Sequence, residues 1–336
     1  MCTPSILHVH IKATILPFPE HTAEERLPEV ASTDDGELAG SLLCIRRVDC
    51  GGVGAVVVVV VDANFASETS CNWGGANCKI DGDNLQFILN KWSGAGIVTK
   101  QQFIFGSIEM QIKLVPRDSA GTVTTYYTSS TGNKHNEVDF EFLGNVSGQP
   151  YTIHTNIFVG GVGNREEQFR PWFDPTDGYH TYTIFWNPSM ILWSIDGTPI
   201  RVFKNRNSKG IPFPLSQPMK GYTSLWNADD WATQGGRIKT NWSHAPFIAN
   251  YKSFQQRVCA YAGPNSARQC AAPSAANWYT APQYKTLSRS QIDQLNSVRN
   301  KYMIYNYCKD TNRFNGKMAL NVRTRRTDDH QGWGSV

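Results

Sequence analysis

From Ile104 to Leu114 the chain reads IFGSIEMQIKL, so an extended strand places Ile108, Met110, Ile112 and Leu114 on one face. Ser107, Glu109, Gln111 and Lys113 fall on the other face. Short runs rich in aromatic and β-branched residues follow at 121–128, 137–143, 181–186, 190–195, 200–203 and 221–226. Asn187-Pro188 and Asp196-Gly197 supply turn chemistry between several of them. The pattern predicts an all-β fold, an antiparallel jelly-roll sandwich. One segment departs from period two. Ser288-Arg289-Ser290-Gln291 has the form of a capping box, and Ile292, Leu295, Val298 and Tyr302 then recur at helical spacing. A single amphipathic helix is expected over 288–303, packed on the sandwich.

Composition narrows this reading. The 336 residues are 40% hydrophobic, enough for a sizeable core in one all-β domain. With 28 glycines, 17 prolines and only 18% charged residues, short strands and turns are favoured over long surface helices. The net charge of +4 is small and the basic residues are scattered; the one dense run, Arg323, Arg325 and Arg326, is expected to be a solvated tail. Nucleic acid is therefore not an expected partner. Ten tryptophans supply core, and also flat apolar faces suited to sugar rings.

Residues 53–61, VGAVVVVVV, are the most apolar run, too short to span a bilayer. Arg46 and Arg47 before it and small residues up to Ala63 give the order of a secretory signal, although it starts far into the chain. A valine-rich strand is the alternative. An unmatched leader is accordingly assigned to 1–63, with cleavage before the mature protein. In a secreted protein the close pairs Cys71/Cys78 and Cys259/Cys270 are plausible local disulfides. No Cys or His spacing suggests a zinc site, and no metal or cofactor is expected. Two glycosylation triplets begin at Asn145 and Asn241.

The most informative segment is Glu137-Val138-Asp139-Phe140-Glu141-Phe142-Leu143. Alternation puts Glu137, Asp139 and Glu141 on one face, backed by Val138, Phe140 and Phe142. Carboxylates this close disfavour mutual ionisation and spread their pKa values. Retaining glycoside hydrolysis requires that asymmetry: one protonated acid and one ionised nucleophile, with carboxyl groups about 5–5.5 Å apart. A solvated strand face or a calcium site is the bland alternative.

The stretch His135-Asn136-Glu137-Val138-Asp139-Phe140-Glu141-Phe142-Leu143-Gly144-Asn145 resembles the signature of plant xyloglucan endotransglucosylase/hydrolases in glycoside hydrolase family 16. The resemblance extends over roughly residues 64–314 and includes Ser119-Ala120-Gly121-Thr122-Val123, Trp172-Phe173-Asp174-Pro175-Thr176, Leu225-Trp226-Asn227-Ala228-Asp229-Asp230-Trp231-Ala232-Thr233 and Tyr305-Asn306-Tyr307-Cys308. It implies a concanavalin-like jelly roll at 64–247, a C-terminal extension with one helix at 248–314, and a divergent tail at 315–336. It implies that Glu137 is the nucleophile, Glu141 the general acid/base, and Asp139 the residue that orients and tunes the nucleophile. Carried over by position, the substrate contacts are Glu141, His154, Thr155, Asn156, Asn164, Arg165, Glu166, Asp230, Trp231 and Gly235, with Arg313 a further candidate. Asn145 carries the family's glycosylation triplet. For Trp226 and Trp193, core packing and sugar stacking stand equal. The sequence departs from the family pattern at Asn136, His154 and Asn164, where Asp, Gln and Asp are usual. It also has no counterpart of the family's last cysteine, which implies loss of a second C-terminal disulfide.

The expected reaction is retaining cleavage of the β-1,4-glucan backbone of xyloglucan and transfer to another xyloglucan chain, or to water, in the plant cell wall and apoplast. A short stretch at Trp226–Gly236, extended in mainly hydrolytic relatives, favours transfer. Xyloglucan donor and acceptor are the expected partners of a secreted monomer without a membrane span. The rival readings are an endo-β-glucanase acting on another β-glucan and a non-catalytic glycan-binding sandwich. Intact Glu137 and Glu141 count against the second rival.

Overall fold

The computed structural model describes residues 41–50, 53–62 and 64–314. The leader's Ala63 and the basic tail at 315–336, with Arg323, Arg325 and Arg326, lie outside the described residues. Strands β1 (Ser41–Cys50) and β2 (Val53–Asp62) pair antiparallel in a unit of their own, so the valine-rich run has strand backbone here.

The second unit starts at Asn64 with the four-residue helix α1 (Phe65–Glu68). Strands β3 (Thr69–Trp73), β4 (Cys78–Asp81), β5 (Asn84–Leu89), β6 (Ala95–Thr99), β7 (Phe103–Lys113), β8 (Thr122–Ser129) and β9 (Glu137–Leu143) follow. Next come β10 (Thr152–Phe158), β11 (Glu167–Phe169), β12 (His180–Trp186), β13 (Met190–Ile195), β14 (Thr198–Lys204), β15 (Lys220–Asn227) and β16 (Phe247–Ala260). Helices α2 (Ser266–Ala271) and α3 (Arg289–Tyr302) and the short strand β17 (Met303–Asn306) follow, and a single 3-10 turn at Tyr307–Lys309 leads to Phe314. One sheet has eight strands in the order β17-β11-β10-β9-β8-β15-β6-β3, and the other seven in the order β14-β13-β12-β7-β16-β5-β4. This is the expected antiparallel sandwich, each inner face drying the other.

The alternation read from 104–114 is the alternation observed. Ile108, Met110, Ile112 and Leu114 are at most 2% exposed, and their polar neighbours lie on the outer side of β7. Behind the carboxylate strand, Phe140 stacks on Tyr126 and Phe142, while Tyr182 from the other sheet meets both phenylalanines edge-on. Such aromatic contacts rigidify the floor under β9. Trp193 is fully buried and donates from Nε1 to the Asp139 carbonyl at 3.0 Å, so it is core. Its ring also carries the Arg201 guanidinium, 4.8 Å from the centroid.

Helix α3 is capped as the sequence demands, Ser288 and Gln291 exchanging reciprocal side-chain bonds, and it buries Leu295 and Val298. A boundary at residue 247 falls at the first residue of β16, which runs on through the seven-stranded sheet, and β17 adds an edge to the other. The C-terminal extension is thus continuous with both layers. Cys71–Cys78 and Cys259–Cys270 are disulfide-bonded, the pairs expected from spacing.

Candidate active site

Strand pairing lays the site out as rows crossing the eight-stranded sheet. Glu141 stands beside His154 of β10 and Thr125 of β8, and the same row continues through Ser224, Gly96 and Trp73. Asp139 lies between Asn156 and Tyr127, and Glu137 between Phe158 and Ser129. The three carboxylates open into a cavity of about 440 Å³, also lined by Asn156, Trp226 and Trp73. Thr125 and Ser224 hydroxyls share a 2.6 Å bond on its floor, and Tyr127 stacks on Tyr222.

The three acids are held differently. Burial pushes Glu141 up to about 7, and the negative charges of Glu137 and Glu166 push in the same direction. Asp139, only 6% exposed, is raised well above the ordinary carboxylate range by burial and then by Glu137 and Glu141, so it carries its proton. Burial also raises Glu137, but hydrogen bonds from Ser129 and Asp139 and the nearby His135 oppose it and favour the ionised form. Nε2 of His135 lies 3.9 Å from Glu137 Oε2, while its Nδ1 bonds the Gly132 carbonyl at 2.7 Å. The arrangement suits an ionised Glu137, a neutral Asp139 and a Glu141 that titrates near neutrality. His135 and Ser129 were not singled out from sequence; their signal is position, one flanking the motif and the other opposite it on β8.

The flank formed by β10 and the chain after it is built from polar contacts around one charge pair, Arg313–Glu166. His154 places Nε2 3.8 Å from Glu141 Oε2, and the Gln168 amide meets its Nδ1 at 3.2 Å. Burial lowers His154 to about 4, leaving the imidazole neutral near pH 7. Arg313 reaches back from the end of the described chain to grip both oxygens of Glu166, and its Nη2 donates to Asn164 Oδ1 at 2.7 Å. The Arg313 side chain holds Glu166 below its ordinary range, against burial, which pushes the other way. Three expected contacts, Asn164, Glu166 and Arg313, thus form one cluster.

Thr155 is a correction. It is fully buried on the opposite face from His154 and Asn156, as period two requires, and its hydroxyl donates to the Glu167 carbonyl while accepting from Arg201. Arg165 is also largely committed to structure. It is 9% exposed, and Nη1 donates to the carbonyls of Ile157, Val162 and Gly163. Asn156 Oδ1 accepts from the Ile157 and Arg165 amides, which turns the residue's amide donor away from those two contacts. Asp230 and Gly235 lie exposed on the turn after β15, and Trp231 is half-buried there against the rings of Trp226 and His154. That turn is tied down by Thr233, whose hydroxyl accepts from the Gly121 amide and donates to the Gly144 carbonyl. Asn145 begins an exposed turn, its Nδ2 donating to Pro150 at 3.1 Å. Among the described residues no group of three or more His, Cys, Asp or Glu is arranged to hold a metal ion, and no helix is long and apolar enough to cross a membrane.

Comparison with known proteins gives this arrangement a family. Residues 65–244 match the sequence model of the glycosyl hydrolases family 16, and 273–320 match that of the xyloglucan endo-transglycosylase C-terminus. Probable xyloglucan endotransglucosylase/hydrolase protein 23 of Arabidopsis thaliana is 49% identical, over 77% of this chain and 90% of its own length. Xyloglucan endotransglucosylase protein 7 of Diospyros kaki is 51% identical, over 75% of this chain and 94% of its own. The Crh5 transglycosylase in complex with NAG aligns over 60% of this chain and 84% of its own, at 26% identity and a TM-score of 0.48. The chain belongs to glycosyl hydrolases family 16, among the xyloglucan endotransglucosylase/hydrolases.

Proposed function

We propose that the protein cleaves the β-1,4-glucan backbone of xyloglucan with retention and passes the cleaved chain to a second xyloglucan molecule, water being the lesser acceptor. The observation that carries this reading is the graded set of acids on β9, in a family whose named members include xyloglucan endotransglucosylases. Glu141 gives its proton to the glycosidic oxygen while a Glu137 oxygen bonds the anomeric carbon, and the leaving chain departs with its new hydroxyl. Glu141, now a carboxylate, takes the proton of an acceptor hydroxyl whose oxygen attacks the anomeric carbon and releases Glu137. Asp139 keeps its proton throughout and donates to Glu137, fixing its orientation and lowering the cost of its charge.

Transfer wins over hydrolysis when an acceptor sugar is held better than water is. Trp231 gives an apolar face for such a ring, and Asn156, Glu166 and Arg313 give hydrogen-bonding groups around Glu141. The turn at Trp226–Gly236 is folded on itself by the Trp231–Ala228 and Gly236–Thr233 bonds, and in this reading its shortness makes room for a second chain. Glycosylation at Asn145, removal of a leader ending near Ala63, and action as a secreted monomer in the cell wall belong to the same reading.

The test incubates the protein with xyloglucan and a labelled xyloglucan oligosaccharide. Label entering polymer is the expected result. New reducing ends without incorporation make the protein a hydrolase, and no change in either substrate overturns the assignment.

A further inference from the structure

The row that carries Glu141 ends, four strands away, at Trp73, a residue that none of the chemical steps above uses. Trp73 opens into the same cavity as the three acids and keeps 39% of its surface exposed, unlike the core tryptophans. Its cross-strand neighbour is Gly96. A β-carbon on Gly96 would stand 2.2 Å from the indole Nε1 and 2.9 Å from Cδ1 and Cε2. The pyrrole half of the ring therefore occupies the space that any other residue at 96 would fill.

The local chain fixes this pose. Pairing shifts register between Cys71 and Trp73, which re-aims the side chain, and the Cys71–Cys78 disulfide closes the loop that follows. Gly74, at φ +96°, is packed so tightly that a β-carbon there would lie 2.5 Å from the Gly94 carbonyl oxygen. Ser224 and Trp226, the cavity's other lining residues nearest this end, carry no charge. An exposed, immobilised aromatic with hydroxyls and no ion beside it matches the apolar C–H face and hydroxyl rim of a pyranose.

We infer that Trp73, seated on Gly96, is a stacking subsite for a pyranose ring of the β-glucan main chain, at the end of the cleft opposite His154 and Glu166. The inference rests on the glucan-cleaving reading for its ligand. The chain then crosses the strands along the Glu141 row, and Trp73 binds a ring several units from the cleaved bond.

Two substitutions separate stacking from fold. Trp73→Leu keeps apolar bulk without an aromatic face, and Trp73→Tyr keeps the face. With xyloglucan polymer, Trp73→Leu is expected to raise KM about tenfold, about 1.4 kcal/mol, with kcat little changed. Trp73→Tyr should stay within about threefold of wild type. A donor too short to reach β3 should show no difference between them. Gly96→Ala, which displaces the indole, should reproduce the Leu result if Trp73→Leu fails to fold. Unchanged KM in Trp73→Leu or in a folded Gly96→Ala overturns the subsite, as does an equal loss of kcat in Leu and Tyr. Calorimetry of a long xyloglucan oligosaccharide binding to Glu137→Ala, with and without Trp73→Leu, reads the subsite apart from turnover. Tenfold weaker binding there supports it even if the wild type cleaves no glucan, and equal binding overturns it.

Discussion

The two flanks of strand β9 are made of different material. On one side His154 faces Glu141, and Arg313 ties Glu166 to Asn164; the charge of Glu166 bears on both Glu141 and His154, and that of Arg313 on His154. On the other, Thr125, Ser224, Trp226 and Trp73 carry no charge, and the Tyr127–Tyr222 stack fills the floor. A charged flank changes which protonation states are populated; an uncharged aromatic flank changes how well a chain is held. Substitutions on the first should therefore move a pH profile, and substitutions on the second should move KM.

The strand between the flanks sets the scale against which both are judged. Glu137→Ala removes the proposed nucleophile and should lower kcat on the order of 10⁴-fold with either water or sugar as acceptor. Mass spectrometry should detect no glycosyl-enzyme in this variant; near-normal turnover would remove Glu137 from the mechanism. Glu141→Ala should cost about 10²–10⁴-fold. Its pH dependence is the sharper readout. The proposed mechanism requires Glu141 protonated in the first step, so the rate should fall as pH rises through about 7. In Glu141→Ala that limb should vanish, and a limb that persists would belong to another group.

The charged flank is then tested through Arg313. Arg313→Ala leaves the Glu166 carboxylate without its bidentate partner, so its negative charge acts on Glu141 less compensated. A stronger negative field favours the protonated acid, and the alkaline limb should move to higher pH. The pair is partly exposed, so the effect is screened; kcat at the optimum should fall only about two- to fivefold. A profile that keeps its alkaline limb in place would show that this flank acts by contact alone.

Much of this plan is legible in the chain because period two is a strong signal where one face is buried. The strand 104–114 and the alternation of 137–143 were readable for that reason, and the helix after Ser288 was readable from its capping box and the 3.6-residue spacing of its apolar positions. Strands β3 to β6, β10, β11, β16 and β17 were not singled out: most are short and bounded by Gly, Asn and Asp at tight turns, and the long β16 breaks its alternation at register shifts between Lys252 and Gln255 and between Val258 and Ala260. The pairing of distant residues was not legible either. Nothing local in the sequence says that Arg313 meets Glu166, that Trp73 meets Gly96, or that Arg201 lies beneath Thr155. The candidate acids could be chosen from spacing and resemblance, but their differing proton affinities depend on burial and on Ser129, His135 and Glu166, brought in by the sheet.

Thr155 gives the smallest expected change in activity and separates position in a motif from position in space. It stands between His154 and Asn156 in sequence, yet its side chain faces the core, where it bridges the Glu167 carbonyl and the Arg201 guanidinium. Thr155→Val keeps the shape and removes the hydroxyl, leaving a buried cation one acceptor short; that should cost about 1–3 kcal/mol of stability, read as a lower midpoint in denaturant. Because the side chain never reaches the cleft, kcat and KM for xyloglucan should stay within about twofold of wild type wherever the variant is folded. A rise in KM without loss of stability would return Thr155 to the substrate contacts, and would mean that β10 can present its other face to the sugar.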